Sequence, residues 1–366
     1  MYIWEIPDWP HFSWDQDVIA VPLNRVLFEQ GKLLGRMEGI GFSLQNEAHL
    51  EVLTQDIIKS SKIEGVELQN ETVRSSIAKR LGIDIGGLKP VDRYVEGVVE
   101  MTLDATQHFD TPMTIGRLLA WQAALFQAGR SGLTQVETGT WRTDEKGPMQ
   151  VVSGAMGKER VHFEAPPAHC LDAELNCFVE WFECEESLNK VIKAGVAHLW
   201  FVTIHPFDDG NGRVARAIMD MVLARSERSH MRFYSLSNQI EVEKEQYYRI
   251  LEFTQKGSLD ITAYLVWYLG CLLRAIENSR DTLSDVLSWA RFWDSFAEEV
   301  INSRQVLMIK RLLNGFEGKL TTTKWAKMAK CSQDTAYRDI MDLIERGILI
   351  KNPAGGRSTS YSLSEF

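Results

Sequence analysis

The sequence predicts a mainly α-helical protein in three parts: an amino-terminal segment over 1–82, a helical core over 90–302 and a small module over 303–366. Three observations carry this. Apolar residues recur with helical period through most of the chain, and one alternating strand pair stands out before the carboxyl end. Beyond Ser303 the charge balance turns basic, with eleven Lys and Arg against six Asp and Glu in a chain of net charge -10. That overall charge excludes a surface that grips nucleic acid everywhere. No apolar run approaches the roughly 18 residues of a membrane span. Met1–Pro10 carries acidic and aromatic residues and no basic leader, so a cytoplasmic location is expected. Five cysteines is an odd count. Cys170, Cys177 and Cys184 recur every seven residues without a C-x-x-C pair, which reads as buried thiols in a reducing compartment and not as zinc ligands.

In chain order, the first 45 residues are aromatic-rich and broken by Pro7, Pro10 and Pro22, so an irregular packing segment precedes a helix. Ala48–Ile63 is helical, and Gly65 sits where a left-handed stop is expected. The glycines between Gly82 and Pro90 break this part from the next. Helices follow over Tyr94–Gln107 and Thr114–Ala128. Gln150–Val152 and Arg160–Phe163 alternate around glycines, giving a β-hairpin within about 149–167. Helices resume over Leu171–Glu183, Leu188–Ile204 and Gly212–Arg228, with more to about Asn302. At the carboxyl end two helices, Thr321–Lys330 and Gln333–Glu345, precede strands at Ile348–Asn352 and Ser358–Leu363. Ala336, Ile340, Leu343 and Ile344 should face a core, with Thr335 and Arg338 outward and Lys351 and Arg357 on the hairpin.

The densest chemistry lies in His205-Pro206-Phe207-Asp208-Asp209-Gly210-Asn211-Gly212-Arg213-Val214-Ala215-Arg216, between two helices. Gly210 and Gly212 permit a tight turn with bare N–H groups at a helix start, which is an anion cradle. Arg213 and Arg216 add two cations at i, i+3, suited to a polyphosphate. Asp209 can hold a magnesium ion, which usually takes only one or two protein carboxylates. His205, with an ordinary pKa of roughly 6.5, suits removal of a proton from an attacking hydroxyl. Arg216 could instead pair with Asp220 at i, i+4. The run Gly210–Ala215 also fits G-x-G-x-x-A, but the preceding stretch looks helical and no βαβ alternation surrounds it.

His205 to Arg216 resembles the Fic family signature, H-P-F-x-[DE]-G-N-G-R-x-x-R, at every defined position. The resemblance extends through Gly139-Thr140-Trp141-Arg142, the hairpin and the helices to about Asn278. It implies a helical Fic-type core whose hairpin is a flap that seats an extended target segment. It also implies transfer of AMP from ATP to a Tyr, Thr or Ser hydroxyl of a target protein, including the chain itself. On that resemblance His205 is the general base, Asp209 the Mg2+ ligand, and Asn211 with the Gly210 and Gly212 backbone the α-phosphate holder. Arg213 and Arg216 would then meet the β- and γ-phosphates. Tyr247 and Tyr248 resemble a pair that lines the adenine pocket in some relatives. Removal of AMP or another phosphotransfer on the same loop is an alternative, as is a nucleotide-sensing DNA-binding regulator.

Leu53, Ile57, Ser60 and Glu64 share one stripe of their helix, so Glu64 should point inward and need a partner. Ser60-Ser61-Lys62-Ile63-Glu64-Gly65 resembles the family's inhibitory motif [ST]-x-x-x-E-[GN], which implies that Glu64 pairs with Arg216 and restrains the enzyme. The tryptophan-rich start resembles the amino-terminal domain often attached to such proteins. The carboxyl-terminal module looks like a winged helix, with DNA or a protein as its partner. A second copy of the chain is also admissible as a partner.

Overall fold

The computed structural model describes residues 1–85, 89–131, 134–145, 147–154, 160–295, 301–313, 316, 318–353 and 359–364. It divides into two units, Met1–Arg280 and Asp281–Phe366. The first begins with a short 3-10 turn at Ile3–Glu5, then α1 (Gln16–Glu38), α2 (Phe42–Ile63), α3 (Asn70–Leu81), α4 (Arg93–Gln107) and α5 (Ile115–Leu125). Asp15 caps α1 by accepting from the N–H groups of Asp17 and Val18. The helix therefore starts ahead of Pro22 and runs through it, where the sequence suggested irregular chain. α2 is longer than its Ala48–Ile63 core, and Gly65 stops it with φ +82°. Leu53, Ile57 and Ser60 are all buried along it.

α5 ends at Leu125, short of the expected Ala128. A pair of two-residue strands follows, β1 (Arg130–Ser131) and β2 (Thr134–Gln135), which the sequence did not announce. The expected hairpin is β3 (Gln150–Ser153) against β4 (Arg160–Glu164), antiparallel, with a bulge where the register slips between Val151 and Val152. Its glycine-rich turn lies outside the described residues. Then come α6 (Leu171–Cys184), α7 (Lys190–Ile204), α8 (Asn211–Glu227), α9 (Leu236–Val242), α10 (Lys244–Gln255) and α11 (Thr262–Ser295), of which residues 281–295 belong to the second unit.

α7 is the centre of the unit: every residue from Val191 to Ile204 is buried. A helix apolar on all sides can only sit inside others, and α7 packs along α8. A second close contact joins α4 to α5. Gly97 lies so near the Ala124 carbonyl that a Cβ there would stand 1.8 Å from its oxygen. Among the cysteines, Cys271 is buried while Cys177 and Cys184 are exposed. The expected buried thiols are thus corrected for α6, because their stripe faces solvent while Leu171, Leu175, Phe178 and Phe182 take the core side.

In the second unit α12 (Ser303–Leu313), α13 (Thr322–Met328) and α14 (Gln333–Glu345) precede β5 (Leu349–Lys351) and β6 (Tyr361–Leu363). Phe292, Met308, Trp325, Ala336, Ile340 and Leu343 share its core, which therefore reaches upstream of the expected start at 303. Arg338 is exposed as expected, Thr335 is half-buried against the Ser332 cap, and Arg357 lies outside the described residues. Among the described residues no helix is long and apolar enough to cross a membrane. Gly97→Ala should destabilise the first unit by about 1–3 kcal/mol through overpacking at the α4–α5 contact. A thermal melt reads this as a lowered Tm.

Candidate functional site

The His205–Arg216 loop joins α7 to α8, and its shape follows from two positions with positive φ. His205 closes α7 at φ +51°, and Gly210 opens α8 at φ +92°. A non-glycine residue held in the left-handed region is uncommon and concentrates at functional sites. Gly210 is required twice over, since a Cβ there would also stand 2.9 Å from the Phe126 ring. α8 begins without a side-chain cap, so its first N–H groups remain available to an anion.

The Asn211 side chain is spent on the loop itself. Its Oδ1 accepts from the Phe207 N–H at 2.9 Å and its Nδ2 donates to the Phe207 carbonyl at 2.7 Å. The residue is 2% exposed. Asn211 thus staples the turn, and the bare amides are what it leaves facing outward.

His205 Nδ1 lies 3.2 Å from the Val202 carbonyl. Donation there places the proton on Nδ1 and leaves Nε2 as the free base. Burial, helped by the Arg142 cation, lowers the pKa to about 4, while the Val202 hydrogen bond and the Glu64 and Asp209 carboxylates pull the other way. The imidazole is neutral at pH 7.

Arg142 is a residue whose role sequence reasoning missed. Its side chain is fully buried. Nε donates to the His205 carbonyl at 2.8 Å and Nη2 to the Pro166 carbonyl at 2.5 Å. Its own backbone N–H donates to Pro206 at 3.0 Å. One guanidinium therefore fixes the histidine loop to the base of the β3–β4 hairpin. The resemblance took in the Gly139–Arg142 stretch without giving Arg142 a role.

The two loop arginines part company. Arg213 turns to Asp209 (3.1 Å) and to the Tyr94 hydroxyl (2.5 Å), over the Phe126 ring. Tyr94 was likewise missed, since a tyrosine at a helix start carries no pattern. Arg216 turns to α2: Nε donates to Ser60 Oγ at 2.9 Å, and Nη2 donates to the Ser60 carbonyl at 2.9 Å and to Glu64 Oε1 at 2.8 Å. The alternative partner Asp220 is taken by Arg232 at 3.2 Å. Burial works against the Arg216 charge, yet the Glu64 carboxylate and the Tyr247 phenol hold its pKa above the ordinary value. Arg216 is 1% exposed and its Nη1 is buried with no hydrogen-bond partner.

Gly212 completes this corner. A Cβ on it would stand 2.2 Å from Glu64 Oε1 and 3.2 Å from Arg216 Nη1. The Glu64 carboxylate therefore lies directly over the start of α8, where an anion would be drawn. Glu64 is less enclosed than its stripe suggested, with its side chain 29% exposed, because it caps the end of α2 and reaches back. Gly65 makes no contact of this kind and serves as the stop. Of the tyrosines, Tyr247 is buried with its hydroxyl 3.0 Å from His198 Nε2. Tyr248 is half-exposed and its hydroxyl donates to the Ile63 carbonyl at 3.1 Å, at the end of α2.

A triphosphate fits these groups: an unpartnered buried guanidinium nitrogen, bare amides and a space that admits no Cβ. Asp209 supplies one carboxylate, 36% exposed, already drawn toward Arg213. That is the modest donor set magnesium accepts beside phosphate oxygens. Among the described residues no group of three or more metal-ligating side chains occurs.

Residues 112–223 match the Fic/DOC family, and residues 2–83 match a domain of unknown function, DUF4172. The Protein adenylyltransferase Fic of Nematostella vectensis is 25% identical over 239 residues, covering 62% of this chain and 48% of that protein. A probable protein adenylyltransferase of Aquifex aeolicus is 27% identical over 103 residues, 28% of this chain and 30% of its own. The chain thus spans less than half the length of these curated relatives. A crystal structure of a Fic family protein from Desulfovibrio desulfuricans covers 95% of this chain and 96% of its own at a TM-score of 0.57 and 20% identity, a likeness of fold.

The buried imidazoles make stability pH-dependent. Burial lowers His49 and His205 to about 4 and His198 to about 3. Between pH 6.5 and 4 the unfolded chain therefore binds protons that these folded imidazoles refuse, so stability falls on acidification. Asp220, raised to about 8 by burial and the neighbouring Asp56, works in the opposite direction by holding one proton in the folded state. The imidazoles outnumber it, so lowering the pH from 6.5 to 4.5 should cost on the order of 3 kcal/mol. Differential scanning calorimetry across that range reads it as a falling Tm.

Proposed function

From the premise that residues 112–223 form a Fic/DOC domain, we propose that this chain is a protein adenylyltransferase held in check by its own Glu64. It moves AMP from ATP to a Tyr, Thr or Ser hydroxyl of a target protein. One observation carries the reading: the Glu64 carboxylate lies over Gly212 and on Arg216, in the place and with the partner that a phosphate would take.

In this reading the triphosphate rests on the α8 amides, with Arg213 and Arg216 on its outer phosphates. The target hydroxyl oxygen attacks the α-phosphorus, its proton passes to His205 Nε2, and the bond to the β-phosphate oxygen breaks to release pyrophosphate. Positioning and charge neutralisation supply most of the catalysis. Magnesium, held by Asp209, would supply further neutralisation of the phosphate charge. A base with a pKa near 4 is always free at neutral pH but weak, and the arriving phosphate charge strengthens it. Arg142 keeps the imidazole and the flap base in one frame while the two substrates meet.

Glu64 opposes this by occupying Arg216, so that the γ-phosphate loses its contact and ATP lies in an unproductive pose. The coupling is within the 1–3 kcal/mol usual for regulatory contacts. The target itself is a protein presenting a hydroxyl, and the chain is its own substrate when released.

Glu64→Gly should raise AMP transfer and autoAMPylation by about ten-fold or more. Incubation with α-labelled and, separately, γ-labelled ATP measures this: label from the α position alone supports the reading, and γ-label would make the chain a kinase. In the same background His205→Ala should lower transfer by about a hundred-fold or more, the usual worth of a general base. Unchanged activity in a folded Glu64→Gly chain would remove the brake.

A further inference from the structure

The β3–β4 hairpin and α10 share a row of three polar side chains that the reaction at His205 does not use. Ser153 Oγ lies 2.5 Å from His162 Nε2, and His162 Nδ1 lies 2.7 Å from Glu252 Oε2. Sequence spacing conceals this order, since the glutamate stands 90 residues beyond the histidine. A hydroxyl, an imidazole and a carboxylate in hydrogen-bonded sequence are the arrangement that turns an alcohol into a nucleophile.

The direction of each bond follows from Glu252. Its carboxylate also accepts from Lys256 at 2.8 Å and from Arg160 at 3.0 Å, and hydrogen bonds from Lys256, His162 and Arg160 lower its pKa to about 2. An ionised carboxylate only accepts, so His162 Nδ1 carries a proton and donates it. In the neutral ring Nε2 is then the acceptor, and the Ser153 O–H points at it. The serine oxygen keeps its lone pairs for an electrophile.

Position and charge suit the same role. Ser153 ends β3 and is exposed, while the side chains of His162 and Glu252 are only 25% and 20% exposed. The relay is thus sheltered behind a hydroxyl that faces solvent. Arg160 lies directly across the ladder from Ser153, so a phosphodiester formed there would gain a cation beside its negative charge. The hydroxyls of Thr114, Ser235, Thr321 and Ser332 are committed to helix starts, and those of Ser60 and Ser61 are buried. Arg142 ties His205 to the foot of the hairpin at Pro166. From Gln150 at that foot, β3 runs roughly 10 Å to Ser153, which therefore stands at the far end of the strand from its own His205.

We infer that Ser153 is a modification site that accepts AMP from a second copy of this chain, with His162 and Glu252 positioning and activating its hydroxyl. The inference rests on the adenylyltransferase reading and names the acceptor within the chain. The serine oxygen forms a bond to the α-phosphorus of ATP held by the second copy, the bond to the β-phosphate oxygen breaks, and pyrophosphate leaves. The serine proton passes to His162 Nε2, and Glu252 stabilises the imidazolium that results. His162 then does for this acceptor what His205 does for a target that brings no base of its own.

The test mixes the Glu64→Gly chain as enzyme with a tagged, full-length His205→Ala chain as substrate. After incubation with α-labelled ATP the substrate is recovered by its tag, and mass spectrometry of its peptides locates the label. AMP is expected on Ser153. Adding Ser153→Ala to the substrate should lower its labelling about ten-fold, and Ser153→Thr, which keeps a hydroxyl, should restore most of it. Adding His162→Ala to the substrate should lower kcat about ten-fold or more with the KM for the substrate little changed, the split of a group that acts on the hydroxyl and not on docking. The Tm of each substrate chain reads its folding. Undiminished labelling of the Ser153→Ala substrate, or AMP at Ser153 of the enzyme chain alone, would overturn the inference. So would an unaltered kcat for the folded His162→Ala substrate. If a lysate protein takes label while the His205→Ala chain takes none, the inference fails and the adenylyltransferase reading stands. If nothing takes label, that reading itself fails.

Discussion

A full positive charge buried at the start of α8 is the constraint on which the site depends. Arg216 has lost its water, and a buried cation without an anion is strongly destabilising. Three hydrogen bonds to Ser60 and Glu64 answer that need in the resting chain, and Nη1 remains as a donor with nothing to donate to. Whatever anion sits above Gly212 therefore decides the state of the site. Glu64 holds it by being part of the chain, at high effective concentration. A triphosphate brings more charge and the α8 amides in its favour.

The amino-terminal domain is built to hold this balance. Its helix α2 carries Ser60 and Glu64 to Arg216, and one turn earlier Asp56 accepts from the Ser235 hydroxyl and the Ser237 N–H at the start of α9. Asp220 stands one turn beyond Arg216 on α8. Two polar contacts a turn apart thus tie α2 to α8 through Arg216 and to the start of α9 through Asp56, and α2 cannot slide without breaking buried hydrogen bonds. The same segment begins with Trp4, whose indole N–H donates to the Glu164 carbonyl on β4.

The helices, the hairpin and the loop were legible in the sequence because each is a local pattern: apolar period, turn glycines, and nine defined positions within twelve residues. The Glu64–Arg216 pair, separated by 152 residues, was reached through a motif resemblance together with the inward stripe. Arg142 and Tyr94 were not legible, since their meaning lies in partners 63 and 119 residues away that no spacing reveals. Asn211 was given a place at the α-phosphate by the resemblance alone. In the fold each end of its amide makes one hydrogen bond to the Phe207 backbone, a contact that depends on the turn's final geometry. The cysteine stripe on α6 was misread for a similar reason: a seven-residue period identifies a face of a helix without saying which way that face points.

The central claim is that Glu64 and the terminal phosphate compete for Arg216. It is tested most directly by the ratio of ATP to ADP affinity, measured calorimetrically in the parent chain and in Glu64→Gly. With Glu64 present the terminal phosphate finds no guanidinium, so the ratio should lie near one, whereas Glu64→Gly should favour ATP by about ten-fold through a charge-assisted contact. A ratio unmoved by the substitution would contradict the account.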